Sequence, residues 1–219
     1  MKTGILFDLD GTLLDTLEDL HNAVNHTLQT HGYPTRTRRE IRSFLGNGMR
    51  NLIKASLPAG TEEETVDRVL GDYQHYYDSH NDICTRPYDG ILQALAVIKE
   101  TYPIGVVSNK QDTAVKPLCR TFFGEDVYAC GETPDCPRKP APDMIFRAMQ
   151  ALGVGECIYV GDSEVDLKVA ENAGLPCLLV TWGFRDREHL QKAGGKHFCD
   201  QPETMPRMLA EMVNRYYGK

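Results

Sequence analysis

No apolar run in this 219-residue sequence comes near the ~20 residues that a membrane-spanning helix requires. Its longest runs, such as Ile104-Gly105-Val106-Val107 and Cys177-Leu178-Leu179-Val180, are far shorter. The opening residues meet Asp8 and Asp10 too soon for the apolar stretch of an export signal. Positive charge is also scarce. The chain has 24 Lys+Arg against 31 Asp+Glu, a net charge of −7, which argues against a broad footprint for nucleic acid or an anionic membrane. Its seven cysteines are odd in number, show no Cys-x-x-Cys spacing and partly sit inside apolar runs, so no disulfide framework is expected. His-x-x-x-His spacing is missing too. His21, His26 and His31 step by five, as do His75 and His80, which turns successive side chains about 140° around a helix and off any shared ligand face. A reduced, cytoplasmic chain is expected, with no nucleic-acid or membrane partner.

What is there has ordinary globular composition, 41% hydrophobic and 25% charged, at a length of roughly one and a half domains. Short apolar runs at Gly4–Phe7, Ile104–Val107, Val127–Cys130, Cys157–Val160 and Cys177–Val180 read as strands. Helical patterns near 89–100, 111–121, 142–152, 164–173 and 186–193 separate the later ones. This alternation predicts an α/β fold with a parallel sheet covered on both faces. The interval from Thr16 to about Asn81 breaks the pattern. It holds no convincing strand but three capping-box signatures, Thr16-x-x-Asp19, Thr37-x-x-Glu40 and Thr61-x-x-Glu64. One amphipathic face follows at Leu17, Leu20, Val24 and Leu28, another at Val66, Val69, Leu70, Tyr73, Tyr76 and Tyr77. The expectation is a helical domain over 16–82 inserted into a core made of 1–15 and 83–219.

The chemistry concentrates in Phe7-Asp8-Leu9-Asp10-Gly11-Thr12-Leu13-Leu14-Asp15. Extended backbone would put Asp8 and Asp10 on one side, where two carboxylates can share a cation or divide nucleophilic and proton-transfer work. Like charges so close are costly without a metal or a proton between them. A calcium loop of the EF-hand kind is disfavoured, because its sixth position holds Leu13 instead of Gly and its twelfth holds Asp19 instead of Glu. Three further polar groups follow predicted strands: Ser108-Asn109-Lys110, Gly161-Asp162-Ser163-x-x-Asp166, and Lys139 at the start of a helical segment. Singly, Ser108 reads equally as a helix N-cap, Asp162 as a turn residue and Lys139 as a solvated charge. Together they stand where open parallel sheets bind ligands, beyond the carboxyl ends of the strands.

This set, Asp-x-Asp-Gly-Thr with the later Ser, Lys and Gly-Asp-x-x-x-Asp, resembles the haloacid dehalogenase-like hydrolase superfamily over nearly the whole chain. Within it, Phe44-Leu45-Gly46-Asn47-Gly48 and the overall length look most like phosphoglycolate phosphatases. The resemblance implies a Rossmann-like core with a small helical cap, and a Mg²⁺-dependent phosphatase of small phosphorylated metabolites. It implies Asp8 as nucleophile, Asp10 as proton donor and acceptor, and Mg²⁺ held by Asp8, Asp162 and the carbonyl of Asp10. Ser108 and Lys139 would bind the phosphoryl group with help from Thr12 and Asn109, and Asp166 would be accessory. Sugar-phosphate mutase, pyrophosphatase and nucleotidase chemistry are the alternatives within the superfamily, and a non-enzymatic binder of phosphorylated ligands is the alternative outside it.

Gly46-Asn47-Gly48 lacks the preceding strand and third glycine of a dinucleotide fingerprint. It reads either as a helix-breaking kink between Ile41–Leu45 and Met49–Leu57 or as a loop whose amides approach substrate. Around it, Arg36, Arg38, Arg39, Arg42, Arg50 and Lys54 outnumber Glu40. That run is either a solvated helix face or a guide for a phosphorylated carboxylate. The Tyr73–Tyr77 cluster reads as core packing.

Overall fold

Alternation of apolar side chains along the central strands gives the sheet two buried faces. The structure, a computed structural model, describes residues 2–218. In chain order its elements are β1 (Thr3–Phe7), β2 (Leu14–Asp15), α1 (Leu17–Thr30), α2 (Arg38–Phe44), α3 (Met49–Ser56), α4 (Glu63–Asp78) and β3 (Arg86–Pro87). There follow α5 (Ile91–Lys99), β4 (Ile104–Gln111), α6 (Asp112–Phe123), β5 (Tyr128–Glu132), α7 (Asp143–Leu152), β6 (Glu156–Gly161) and α8 (Glu164–Ala173). Last come β7 (Cys177–Val180), α9 (Arg187–Lys192), β8 (Phe198–Cys199) and α10 (Met205–Tyr217). Two compact units result, one of residues 1–14 and 87–219, the other of residues 15–86.

The first unit is the predicted α/β fold. Six parallel strands run in the order β5-β4-β1-β6-β7-β8. Ile5 and Phe7 of β1, Ile158 and Val160 of β6, and Leu178 and Val180 of β7 face one way, onto a core shared with α5, α6 and α10. Their neighbours Leu6, Cys157, Tyr159, Cys177 and Leu179 face the other way, onto α7, α8 and α9. All five predicted strands are present. The sequence reading missed β8 and α10. A two-residue strand such as β8 carries no period of its own and is held by its pairing with β7. The helix α10 does have a pattern: Met205, Leu209, Met212 and Val213 are buried at helical spacing.

The second unit contains four helices where three helix starts were expected. Between α2 and α3 the chain does more than kink. It breaks at Leu45–Gly48, with φ values of 104° at Gly46 and 79° at Gly48. Helix α1 packs on α4 and α2, and α3 on α4 and α2. Tyr73 and Tyr77, 0% and 1% exposed, stack at 5.4 Å inside this packing. Of the three capping boxes only Thr37 with Glu40 forms. Thr61 instead donates to the Pro58 carbonyl, and α4 starts two residues later. Thr16 makes no side-chain cap either: its φ of −106° and ψ of 0° lie outside the extended region from which a cap side chain reaches the first amides, and Asp19 is used elsewhere. Its buried carboxylate accepts hydrogen bonds from the amides of Cys84 (2.9 and 3.0 Å) and Thr85 (2.8 Å), where the chain returns from the helices. Two amides brought from a distance outbid a local cap, since a buried N–H left unpaired is costly.

Asp19→Ala would strand both amides and is expected to cost about 2 kcal/mol of unfolding free energy. Thr16→Ala is expected to cost well under 1 kcal/mol, since its hydroxyl caps nothing. Urea denaturation of the two variants checks the contrast.

Candidate active site

Register places the polar residues at one rim of the sheet. Phe7 is level with Val106 of β4 and Val160 of β6, so the residues after them emerge side by side at the carboxyl ends. The chain runs from β1 outward to β4 and β5, then crosses back to continue from β6 on the other flank of β1. Asp8 therefore stands at the switch point of the strand order, the usual ligand crevice of open α/β sheets. Its amide donates to the Val160 carbonyl at 2.8 Å. The turn that follows needs Gly11: φ is 85°, and a Cβ there would run into the Asp162 carboxylate.

Lys139 is the hub. Its side chain is 2% exposed, and its ammonium lies 2.8 Å from Asp8 Oδ1, 2.8 Å from Asp166 Oδ1 and 2.9 Å from the Tyr159 hydroxyl. Three N–H donors thus meet three acceptors from separate elements. The backbone of Lys139 is pinned as well. Asn109 accepts from its amide at 2.8 Å and donates to its carbonyl at 3.0 Å, tying the loop Thr133–Pro142 to β4.

Asp162 and Asp166 are seated differently. The S-x-x-D sequence Ser163–Asp166 closes a capping box on α8. Asp166 Oδ2 receives the amides of Asp162 (3.2 Å) and Ser163 (3.1 Å) and the Ser163 hydroxyl (2.6 Å), while Oδ1 receives Lys139 and lies 3.3 Å from the Tyr159 hydroxyl. A carboxylate offers about four lone-pair positions, so Asp166 is fully engaged by protein donors. Asp162 accepts one bond per oxygen, from the Thr12 hydroxyl at 3.2 Å and the Phe184 amide at 2.6 Å, and keeps acceptor capacity. Asp10 faces elsewhere: its Oδ1 is 2.9 Å from the ammonium of Lys110, whose side chain is 4% exposed. Ser108 lies inside β4, not at a helix start, and its hydroxyl accepts from the Lys110 amide at 3.2 Å.

Burial raises the carboxyl of Asp8 to about 7, against the downward pull of Lys139 and with a further push from Asp166. Asp162 is raised well above the carboxylate range, first by burial and then by Asp166 and Asp8. Burial opposes the charge on Lys139, yet Asp166 and Asp8 hold it well above an ordinary lysine. Among Asp8, Asp10, Asp162, Asp166, Lys110 and Lys139, four carboxylates face two ammoniums, so the cluster is two charges negative when ionised. Asp8, Asp162 and Asp166 each offer an oxygen within 4.8 Å of the others. Of these, Asp166 is already engaged by protein donors, so Asp8 and Asp162 are the hard oxygen donors left for a divalent cation, which the deficit of two positive charges fits. The carboxylate of Asp10 is not in that trio; its backbone carbonyl was the group expected to face the cation.

Asp8, Asp10, Thr12, Ser108, Asn109, Lys139, Asp162 and Asp166 thus come from one unit and meet at one rim. Gly46, Asn47 and Gly48 belong to the other unit, at the break between α2 and α3. Four of the six basic residues beside them pair with nearby carboxylates. Arg36 pairs with Glu40, Arg38 with Glu18, Arg50 with Glu63 and Asp67, and Lys54 with Glu63. That favours the solvated-face reading. His26 and His80 stack on the two faces of Tyr76 at 3.8 and 3.9 Å, a packing role. The sequence reading assigned no role to Lys110 or Tyr159. The signal for Tyr159 was a lone hydroxyl within the apolar strand Cys157–Val160, which must find a partner when buried.

Fold and rim define a protein of the α/β class with an acidic, cation-ready centre at the switch point of its sheet. The chain belongs to the haloacid dehalogenase-like hydrolase family, which residues 5–180 match. It is 32% identical over 193 residues to a phosphoglycolate phosphatase of Rhodobacter capsulatus, covering 84% of this chain and 87% of that one. A phosphoglycolate phosphatase of Cereibacter sphaeroides is 36% identical over 188 residues, covering 83% and 86%. A crystal structure from Lactobacillus delbrueckii subsp. bulgaricus, provisionally described as a phosphoglycolate phosphatase, superposes with a TM-score of 0.89 at 32% identity, covering 95% of this chain and 99% of that one. No helix among the described residues is long and apolar enough to cross a membrane.

A cation bound at this rim stabilises the folded state by mass action, about 2.7 kcal/mol at a hundred times its dissociation constant. Mg²⁺ or Mn²⁺ is expected to raise the melting temperature of the metal-stripped protein, and Asp162→Asn to abolish the rise. Calorimetry with and without EDTA checks both.

Proposed function

We propose that the chain is a Mg²⁺-dependent phosphatase of small phosphorylated metabolites, phosphoglycolate first among them, working through an aspartyl-phosphate on Asp8. The observation that carries the reading is the surrounding of Asp8. Its side chain is 12% exposed at the switch point, 2.8 Å from a buried ammonium and beside Asp162. Such a group is shielded from bulk water and oriented for attack. The relatives with phosphoglycolate phosphatase names, 32% and 36% identical, support the substrate.

In this reading an oxygen of Asp8 forms a bond to phosphorus as the bond to the leaving oxygen breaks. Asp10 gives that oxygen a proton. It then takes one from the water that attacks the aspartyl-phosphate, and inorganic phosphate leaves with Asp8 restored. Ser108 holds the phosphoryl oxygens, and Lys139 shares with them the N–H that it directs at Asp8, with Thr12 seating Asp162 and Asn109 seating Lys139. Asp8, Asp162 and the carbonyl of Asp10 would hold Mg²⁺, which offsets repulsion between nucleophile and phosphate. Asp166 serves as the anchor of Lys139. The helical unit 15–86 acts as the cap, with Gly46, Asn47 and Gly48 as its substrate-facing loop.

Hydrolysis of p-nitrophenyl phosphate is expected with Mg²⁺ and not with EDTA. In a panel of phosphoglycolate, sugar phosphates, nucleotides and pyrophosphate, phosphoglycolate should show the highest kcat/KM. Asp8→Asn should abolish turnover. Asp10→Asn should lower kcat by about 10²–10⁴-fold while binding of a phosphoryl analogue persists. Wild-type rates in Asp8→Asn, or equal rates with Mg²⁺ and EDTA, defeat the reading.

A further inference from the structure

The ion pair between Lys110 and Asp10 is built into the sheet at some expense. The side chain of Lys110 is 4% exposed and that of Asp10 18%, at 2.9 Å. A buried ammonium needs a partner, and this one reaches across neighbouring strands to find it. The backbone is deformed to allow this. Pairing of β4 with β5 runs in register from Gly105 to Val107, is lost, and resumes only at Gln111 opposite Glu132. Irregularities of this kind re-aim side chains near active sites. Every residue from Ile104 to Lys110 is buried, as the two covered faces of the sheet require, and the break in pairing falls on Ser108, Asn109 and Lys110, the three that carry polar side chains. The partner strand makes room. Gly131 lies so close to the deformed stretch that a Cβ would overlap the Lys110 carbonyl and meet the Asp112 amide at 2.7 Å. Asp112 holds the two strands together there by accepting from the Gly131 amide at 3.0 Å.

We infer that Lys110 is a positioning residue for Asp10: its ammonium, presented by the irregular end of β4, holds the Asp10 carboxylate in the orientation from which it serves the leaving oxygen and then the water. This rests on the phosphatase reading above and extends it by one residue. Lys110 does not itself touch the reacting atoms.

Leaving-group dependence separates this role from a structural one. An alkyl phosphate such as phosphoglycolate leaves as a strongly basic alkoxide and needs the proton from Asp10, whereas p-nitrophenolate departs without one. In Lys110→Met, kcat/KM for phosphoglycolate should fall at least about tenfold further than for p-nitrophenyl phosphate. Lys110→Gln, which retains a hydrogen-bond donor, should show the same bias more weakly, and it carries the test if the methionine variant does not fold. In an Asp10→Asn background, Lys110→Gln should add no further bias, because its target is gone. Equal falls on both substrates, no fall on either, or undiminished bias in the double variant would overturn the inference. Failure of the phosphatase reading looks different: the parent protein would then hydrolyse neither ester.

Discussion

The buried ammonium of Lys139 is the constraint around which the rest is arranged. A lysine 2% exposed is tolerable only when its three donors are met. The acceptors arrive from the residue after β1, from α8 and from β6, while Asn109 of β4 clamps the backbone. Three adjacent strands and one helix must therefore reach the same point at the same height. Parallel order with β1 between β4 and β6, in matched register, is what allows it. Loss of one partner from such a buried pair typically costs 3–5 kcal/mol, because a charge is left behind. Fold and site are thus linked: whatever shifts β1 against β6 also moves the ammonium relative to Asp8.

Much of this was legible beforehand, and the reasons are local. Strands β1, β4, β5, β6 and β7 announce themselves because both faces of the sheet are covered, so each reads as an apolar run ending at a polar residue. Asp8, Ser108 and Asp162 were marked by the same feature. What escaped was whatever depends on side chains meeting across the sheet. Lys110 stood beside two assigned residues, but its partner Asp10 is 100 residues away, and the lost pairing between Val107 and Gln111 leaves no mark in the sequence pattern. Tyr159 looked like strand filling; its hydroxyl matters because the second core brings Lys139 and Asp166 beneath it.

The capping signatures show how a local rule yields to distant groups. Thr37 and Glu40 are exposed and free to satisfy each other, and their box forms. Asp19 has the same spacing from Thr16, but two amides near residue 84 need an acceptor and take it. Ser163 and Asp166 do both at once. The box forms, and the other oxygen of Asp166 holds Lys139. A residue can begin a helix and anchor a buried lysine, and its sequence context is the same in either role.

Charge shows the same dependence on place. The chain is acidic overall, and its one strongly basic run is neutralised largely by carboxylates of its own unit. Net charge therefore says little about whether an anion binds. What matters is the balance inside the rim, where two ammoniums face four carboxylates and burial raises both Asp8 and Asp162 above the ordinary range. Two neutral remedies exist, protons or a divalent cation. A cation would meet the deficit with the carboxylates still ionised and available as hard oxygen donors, whereas protons would remove that capacity. The acidity that disfavours nucleic acid at the surface is, at this rim, what suits the carboxylates to a divalent cation.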